Sequence, residues 1–393
     1  MRLTLLSISI ITMLAAFAVA VAQDKVPLPE LNEELRLDLE TTLAEQGKPP
    51  VEYVLEKIAD HDVVVLGEMH RARQDPLLVQ QLITRLPEAG VYSLCTEFAR
   101  RVDQPLIDSL LNGTNYDQKL AETITLQQFP HWGYVEYVDI FKAAWRYNQS
   151  RAEGARPFRI FGINNSPEWW HVKTQEDREN VEVRRKVWHG EGEIDWANVV
   201  LDSVVAKGDK ALCYCGIHHG FTEYRQPVVV DGEFVRYVED RFGNHIYNAI
   251  GKRAITIYLH NTWASVGGYD KPSTYPADGY IDALMAALGP DAYPVGFDTR
   301  GSTFGKLPGK SSLYSHGYEG FTLEEFCDGY IFQMPFSEFE PVTCIEGYYT
   351  EDNIDYARRN AVNPWFRDQA IEEFEKSCET SRREQLDRWS RLR

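Results

Sequence analysis

The residues of this chain whose side chains could act in catalysis or ligand binding lie where predicted strands end. Val63–Leu66 is an aliphatic run that stops at Gly67 and is followed by Glu68 and His70. Such runs are typical of strands buried on both faces of a parallel α/β sheet, which binds ligands beside the carboxyl ends of its strands. A carboxylate and an imidazole two residues apart can orient each other or bind a metal. Alternatively, Glu68 caps the next helix and His70 is a surface residue.

Two further predicted strands end in similar side chains. Val91–Thr96 leads into Glu97, and Ala211–Ile217 leads into His218 and His219. A carboxylate after an apolar strand needs a partner, which for Glu97 is either a ligand or a nearby arginine. Of the two histidines, one could be a buried, hydrogen-bonded residue and the other exposed. If the fold brings these strand ends together, they form one site.

A fourth predicted strand, Pro157–Ile163, ends at Asn164 and Asn165. The two amides could bind a ligand by donating hydrogen bonds to an oxyanion or a carbonyl, or they could form an Asx turn. The sequence contains no Gly-x-Ser-x-Gly elbow, glycine-rich phosphate loop, His-Glu-x-x-His helix or Cys-x-x-Cys pair. Serine-nucleophile chemistry, nucleotide binding and zincin-type proteolysis therefore have no support in the sequence.

Residues 1–22 are predicted to be a signal peptide. Arg2 is their only charge, and Ala20-Val21-Ala22 fits a cleavage site. The apolar run is also long enough for an uncleaved anchor, but the polar residues directly after it favour cleavage. We therefore expect an exported protein, periplasmic or extracellular, without stable membrane insertion after cleavage.

The composition indicates a folded, acidic protein. Apolar residues make up 44% and charged residues 25% of the chain, and the net charge is −18. A charge this negative argues against nucleic acid as a partner, because nucleic acid binds basic surfaces.

Of the six cysteines, Cys213 and Cys215 are expected to pack as small apolar residues, and Cys327 is expected to pair with Cys344.

About seven strands separated by helical segments predict an α/β fold. Its central sheet is mostly parallel and flanked by helices, with helical insertions and a helical C-terminal tail. An Asp-Gly pair predicts a hairpin over Pro227–Val235. The predicted organisation is an N-terminal extension (23–50), an α/β domain (51–345) with helical insertions at about 101–150 and 168–206, and a charged, solvent-facing helical tail (346–393).

The strand-end motifs resemble those of a known family in their order and position. They are Leu66–His70, Glu97, Gly162–Asn164, Gly216–His218 and the last strand, Asp328–Phe332. Together they are similar to the ChaN-like haem-binding-uptake family, which is related to the Tiki and TraB proteins and more distantly to the erythromycin esterases. The resemblance extends over most of the predicted α/β domain.

The resemblance implies a site and several activities. Carried over by position, Glu68, His70, Glu97 and His218 are the candidate catalytic residues, with His219 as the alternate for His218. In the Tiki branch, strand-end His and Glu hold the metal of a peptidase. In the esterase branch, Glu and His activate water, whereas ChaN-like proteins are associated with haem binding. This chain lacks the lipobox cysteine of lipid-anchored ChaN proteins, which argues against direct haem transport.

Two functions from different classes follow. The first is an exported hydrolase of a small molecule or peptide, in which His70 or His218 acts as general base and the carboxylates orient it or complete a divalent Zn or Mn site. The predicted metal ligands are His70, Glu97 and His218.

The second function is that of a protein that binds haem or an iron compound without turnover, through a Tyr or His axial ligand in an aromatic cleft. A weaker third alternative is a degenerate scaffold that keeps the motifs for structural reasons.

Overall fold

The computed structural model describes residues 25–268 and 271–393 of the chain. The predicted signal peptide, residues 1–22, lies outside this part. Among the helices of the described residues, none is long and apolar enough to cross a membrane.

Strands and helices alternate along most of the chain. The strands are β1 (Val63–Glu68), β2 (Ser93–Arg100), β3 (Arg159–Asn164), β4 (Ala211–Gly216), β5 (Pro227–Val230), β6 (Glu233–Tyr237), β7 (Ala254–Leu259), β8 (Val295–Asp298) and β9 (Gly329–Phe332). The α-helices are α1 (Glu33–Gln46), α2 (Pro50–Asp60), α3 (Gln74–Arg85), α4 (Gln104–Asn112), α5 (Gln118–Gln128), α6 (Val135–Ser150), α7 (Val181–Trp188), α8 (Glu193–Ser203), α9 (Ile217–Gly220), α10 (Phe242–Ile250), α11 (Tyr280–Leu288), α12 (Leu323–Phe326), α13 (Ile354–Asn360) and α14 (Ile371–Ser390).

Seven strands form one central sheet in the order β3-β2-β4-β1-β7-β9-β8. All neighbours pair in parallel except β8, which is antiparallel to β9. The mostly parallel sheet flanked by helices is therefore confirmed. The predicted hairpin is also present as β5 and β6, joined by Asp231 and Gly232, both with positive φ.

Both faces of the sheet are buried, as the aliphatic run at β1 predicts. Val64 and Leu66 belong to one apolar cluster, which contains side chains of α3 and α6. Val63 and Val65 belong to a second cluster, which contains side chains of α8 and α10. Side chains alternate across a strand, so β1 needs apolar residues at every position to be covered on both sides. Helices on the two faces leave the carboxyl end of the sheet as the place where polar side chains collect.

The predicted disulfide is wrong. Cys344 pairs with Cys378, 34 residues later, with the Cα atoms 6.1 Å apart. Cys327 is a buried free thiol that packs in an apolar cluster beside Phe326. The sequence could not reveal this pairing, because it depends on how the C-terminal helix returns to the body of the protein. Cys213 and Cys215 are free and buried in the core, as expected.

The predicted C-terminal helix exists as α14, but the tail does not simply face solvent. Phe374, Gln385 and Trp389 are buried. The indole Nε1 of Trp389 donates to Asn261 Oδ1 at 3.2 Å, just beyond the end of β7. These contacts and the disulfide fasten the tail to the α/β body.

We predict that unreduced, denatured protein contains four titratable thiols and that reduction raises the count to six, because one disulfide is present beside four free cysteines. Removing the disulfide by Cys344→Ser together with Cys378→Ser should lower the free energy of unfolding by about 2–4 kcal/mol. Thiol titration and urea unfolding measure these quantities. As a control, Cys327→Ala should lower the unreduced count by one, and an unchanged count would contradict the assignment.

Candidate functional site

Glu68 is a fully buried carboxylate at the end of β1. Tyr137 of α6 donates its hydroxyl hydrogen to Glu68 Oε1 at 2.5 Å, and the Tyr214 hydroxyl of β4 donates to Oε2. The Nδ1 atom of His70 lies 2.7 Å from Oε1 and is the third hydrogen-bonding partner of this carboxylate. A buried charge is tolerated only where hydrogen bonds replace its hydration. Three elements of the fold therefore converge on this one side chain.

The backbone turn after β1 places the His70 ring. His70 and Arg71 have φ values of 61° and 66°, in the left-handed region that non-glycine residues rarely adopt. The ring lies edge-on to Trp132 and Phe98, with centroid distances of 5.1 and 5.9 Å. On another side it lies against Gly216, where an added Cβ would be 2.6 Å from His70 Cε1. The glycine is needed for this close approach.

The protonation of His70 is set by its carboxylate neighbours. Burial lowers the pKa of His70, but the hydrogen bond to Glu68 and the charges of Glu97 and Glu68 outweigh burial, so its pKa is raised above the ordinary 6.5. Because Nδ1 is held by Glu68, Nε2 is the ring nitrogen left for chemistry. It would lie 2.7 Å from a Cβ added at Gly216, and Glu97 Oε2 would lie 3.5 Å from the same point.

Glu97 connects this first pair to a second histidine. Its Oε2 accepts the backbone N–H of Gly216 at 2.7 Å, and its Oε1 lies 3.6 Å from His219 Nε2. The other nitrogen of His219, Nδ1, lies 3.0 Å from Glu193 Oε2. Trp196 packs over the ring with a centroid distance of 4.8 Å. Two carboxylate–histidine pairs, Glu68–His70 and Glu193–His219, thus lie on either side of Glu97.

The structure brings His219, rather than His218, against Glu97. His218 Nε2 lies 2.6 Å from the Tyr314 hydroxyl. Burial, followed by the charges of Arg241, His219 and His70, lowers the pKa of His218 to about 3. Consecutive residues of a helix point about 100° apart, so the single turn of α9 separates the two rings.

Asn164 and Asn165 lie at the same edge of the sheet and are already hydrogen-bonded. Asn164 Nδ2 donates to the backbone carbonyl of Glu97 at 3.1 Å. Asn165 Nδ2 donates to the Gly192 carbonyl at 3.2 Å, and its Oδ1 accepts from Arg101 at 3.3 Å. Both asparagines therefore shape the site by tying neighbouring loops together.

A cavity of about 650 Å³ opens beside Glu97. Four of the predicted residues line it, namely Glu97, Asn164, Asn165 and His219. The part of its wall that the sequence did not indicate includes Phe129, Trp169, Trp188, Glu193, Trp196 and Arg241. Its volume lies in the range of sites for small molecules, about 300–1,000 Å³. Three of the four aromatic residues, Trp169, Trp188 and Trp196, come from α8 and the segment that precedes it, and they could not be assigned to a site without the fold.

The residues do not fit the predicted Zn or Mn site. Within the described part of the chain, no group of three or more His, Cys, Asp and Glu side chains is arranged to hold a metal ion. Of the predicted ligands, His218 is hydrogen-bonded to Tyr314, while His70 Nδ1 is held by Glu68. His70 Nε2 and Glu97 Oε2 approach the same side of Gly216, but His218, the third predicted ligand, does not complete a metal-binding group with them.

The residues that line this cavity do not offer haem iron an axial ligand that is free of other contacts. His219 lines the wall, but its Nδ1 lies 3.0 Å from both Arg241 Nη2 and Glu193 Oε2, and its Nε2 lies 3.6 Å from Glu97 Oε1. Iron coordination by His219 would require one of these pairs to separate.

Comparisons with known proteins agree with the expected resemblance. Residues 54–156 match the family model described as haem-binding uptake, Tiki superfamily, ChaN, which confirms the resemblance over this stretch. No curated protein matches the chain significantly.

Solved structures match this chain at low sequence identity. A succinoglycan biosynthesis protein is 10% identical with a TM-score of 0.50, over 79% of this chain and 99% of its own. ChaN of Campylobacter jejuni with cofacially bound haem is 13% identical with a TM-score of 0.36, over 56% of this chain and 89% of its own. A mutant of the erythromycin esterase EreC in its open conformation is 13% identical with a TM-score of 0.45, over 76% and 95%.

Gly216→Ala should displace the His70 ring. The new Cβ would meet ring atoms at 2.6–2.7 Å, closer than real contacts allow. We expect the free energy of unfolding to fall by about 1–3 kcal/mol and the ring resonances of His70 to shift. Urea unfolding and histidine NMR measure the two effects. The control is Gly192→Ala, because a Cβ there meets nothing closer than 4.0 Å. Equal behaviour of the two variants would contradict the packing described here.

Proposed function

We propose that this protein is a hydrolase in which His70, supported by Glu68, acts as the general base. The observation that carries the proposal is the burial of Glu68 with its three donors, one of which is His70 Nδ1. A carboxylate that accepts from Nδ1 fixes the tautomer of a neutral imidazole and leaves the Nε2 lone pair free.

The reaction begins with a water molecule at His70 Nε2. His70 takes a proton from this water as its oxygen attacks the carbonyl carbon of an ester or amide. The imidazolium that forms is stabilised by the charge of Glu68, as in other carboxylate–histidine pairs. The bond to the leaving group then breaks, and the leaving group takes the proton that His70 accepted from the water, which restores the neutral imidazole.

The cavity beside Glu97 supports a small-molecule or short peptide substrate. It has the volume of a ligand site, aromatic side chains for apolar contact, and polar groups of Glu97 and His219 at one wall. Polar groups beside aromatic side chains can orient a carbonyl compound. Esters, lactones and short peptides are therefore the compounds to screen.

Glu68→Gln should both slow the reaction and shift its pH dependence. The base works only when His70 is neutral, so kcat/KM should rise with pH through a midpoint above 6.5, since the pKa of His70 is raised. Loss of the Glu68 charge lowers the pKa of His70, so the midpoint should move to lower pH. The maximal rate should fall by about 10²–10⁴-fold, as should that of His70→Ala. Rates on p-nitrophenyl esters measure these changes.

The matched control is Glu182→Gln on α7, which removes an exposed carboxylate paired with Arg185. It should keep the wild-type rate and pH profile. If Glu68→Gln and His70→Ala turned over an accepted substrate as fast as Glu182→Gln does, the proposal would be wrong.

Haem binding is the second candidate function, and the match to a haem-binding-uptake family over residues 54–156 favours it. The carboxylate neighbours of His219 oppose it at the described cavity. Adding haemin to the purified protein distinguishes the two functions. The hydrolase proposal expects no Soret band that saturates at one haem per chain, and such a band would favour the second candidate.

We also propose export as the setting of this activity. The apolar N-terminal segment supports it, and so does the disulfide between Cys344 and Cys378, because disulfides persist mainly in oxidising compartments. Fractionation of expressing cells, with detection of the mature N-terminus, tests this proposal.

A further inference from the structure

Arg71, the residue after the proposed base, has a guanidinium group without an acidic partner. Within residues 25–268 and 271–393, its side chain forms no hydrogen bond and no ion pair. Nε is buried, but the side chain as a whole is only half-buried, so the terminal nitrogens Nη1 and Nη2 are its accessible donors. Arginine stays charged in proteins and cannot accept a hydrogen bond. Its terminal N–H groups are therefore available to a ligand.

Two aromatic rings hold this guanidinium in place. Arg71 Cζ lies 4.9 Å from the ring centroid of Trp132 and 5.7 Å from that of Tyr134. Aromatic faces attract a cation but leave its N–H donors without an oxygen or nitrogen acceptor. The indole Nε1 of Trp132 and the hydroxyl of Tyr134 are themselves buried and have no hydrogen-bond partner in the described structure. The surroundings of Arg71 are thus rich in donors and short of acceptors.

The backbone of Arg71 is fixed to the proposed catalytic pair. Its N–H donates to the Tyr137 hydroxyl at 3.0 Å, and that hydroxyl donates to Glu68 Oε1 at 2.5 Å. Its carbonyl accepts from the backbone N–H of Val342 at 3.1 Å. Arg71 and His70 both have left-handed backbone conformations. The same turn therefore sets the positions of the imidazole and the guanidinium.

A second arginine adds to the positive charge. Partial loss of hydration, followed by the charge of Arg71, lowers the pKa of Arg388 on α14. Glu384 and Tyr314 oppose this with smaller effects. Among the described residues, no carboxylate forms an ion pair with Arg388. Two guanidinium groups that repel each other and have no bonded carboxylate favour an anion close to them.

The indole of Trp132 connects this charge to the proposed reaction centre. Its ring centroid lies 5.1 Å from that of His70 and 6.0 Å from that of Phe129, which lines the cavity. Arg71 lies over the same indole. When the carbonyl group of a substrate is at His70 and its chain enters the cavity, substituents a few bonds from the carbonyl are within reach of the guanidinium.

We propose that Arg71 binds a carboxylate or phosphate group of the substrate, with Arg388 as a second positive charge, so that the enzyme selects acidic esters, lactones or short peptides. The inference rests on the proposed hydrolase and names its class of substrate. A planar guanidinium presents parallel N–H donors to two oxygen atoms of such a group, an arrangement that a neutral amide or hydroxyl does not match. Substrates without an acidic group lose this contact.

NMR of the full-length chain tests the binding without turnover. With ¹⁵N-labelled arginine, the Nε–H signal of Arg71 is the one lost in Arg71→Lys. Hexanoate and hexyl phosphate, added separately, should shift this signal saturably, with Kd in the millimolar range. Neutral hexanamide should not shift it. The tighter of the two acids shows whether a carboxylate or a phosphate is preferred, and Arg388→Gln should weaken the binding of both.

Kinetics provide the second readout, with mono-p-nitrophenyl adipate and its neutral methyl ester as a matched pair. The wild type should have the higher kcat/KM for the acidic ester. The ratio of the two values should fall by about 10–100-fold in Arg71→Gln, mainly through KM, because a hydrogen-bonded charge pair is lost in both the ground and the transition state. Arg71→Lys keeps the charge without the planar fork and should give an intermediate ratio.

The matched control is Arg253→Gln. This arginine is exposed, pairs with Asp62 and lies just before β7, at the end of the strand opposite the site. Its loss removes the same charge and should leave the ratio at the wild-type value.

The inference would be overturned if neither acid shifted the Arg71 signal, if hexanamide shifted it equally, or if Arg71→Gln and Arg253→Gln gave the same ratio. If neither ester is hydrolysed, the result counts against the proposed hydrolase alone, and the NMR titration still decides whether Arg71 binds an anion. Urea unfolding of each variant ensures that binding and kinetics are measured on folded protein.

Discussion

The buried charge of Glu68 is the constraint on which the site depends. Removing one partner of a buried ion pair typically costs about 3–5 kcal/mol, because the other charge is left without compensation. The fold meets this constraint with hydroxyls from a helix, Tyr137, and from a neighbouring strand, Tyr214. His70 also adopts a left-handed backbone conformation, which brings its ring to the same carboxylate. Backbone strain of this kind is typical of functional sites.

The parallel sheet converts this local arrangement into a cleft. β1 and β4 are neighbours in register, with Glu68 opposite Gly216, so the two strand ends lie side by side. Glu97 from β2 reaches the Gly216 N–H across that edge. The two carboxylate–histidine pairs meet at Glu97 because each begins at the end of a different strand. Helix and loop segments outside the sheet then add the aromatic wall.

The C-terminal region stabilises the surroundings of the site rather than extending away from it. Cys344 forms a β-bridge with Tyr134, close to the Trp132 ring that packs on His70. The disulfide to Cys378 ties α14 to this same loop. Arg367 donates to the Trp169 carbonyl at 2.7 Å and so holds part of the cavity wall. Segments distant in sequence therefore fix both aromatic sides of the site.

The sequence alone determined the strands, the parallel sheet and the edge at which the polar residues collect, because aliphatic runs and their polar ends follow from local periodicity. It also supplied Glu68, His70, Glu97 and the asparagines, which directly follow or end those runs. Tertiary structure decided which of two adjacent histidines meets Glu97, since a single helical turn points them in different directions. It also decided the partners Glu193 and Arg241, the disulfide and the loss of the predicted metal site. These depend on contacts between segments far apart in the chain, whose mutual orientation no local pattern encodes.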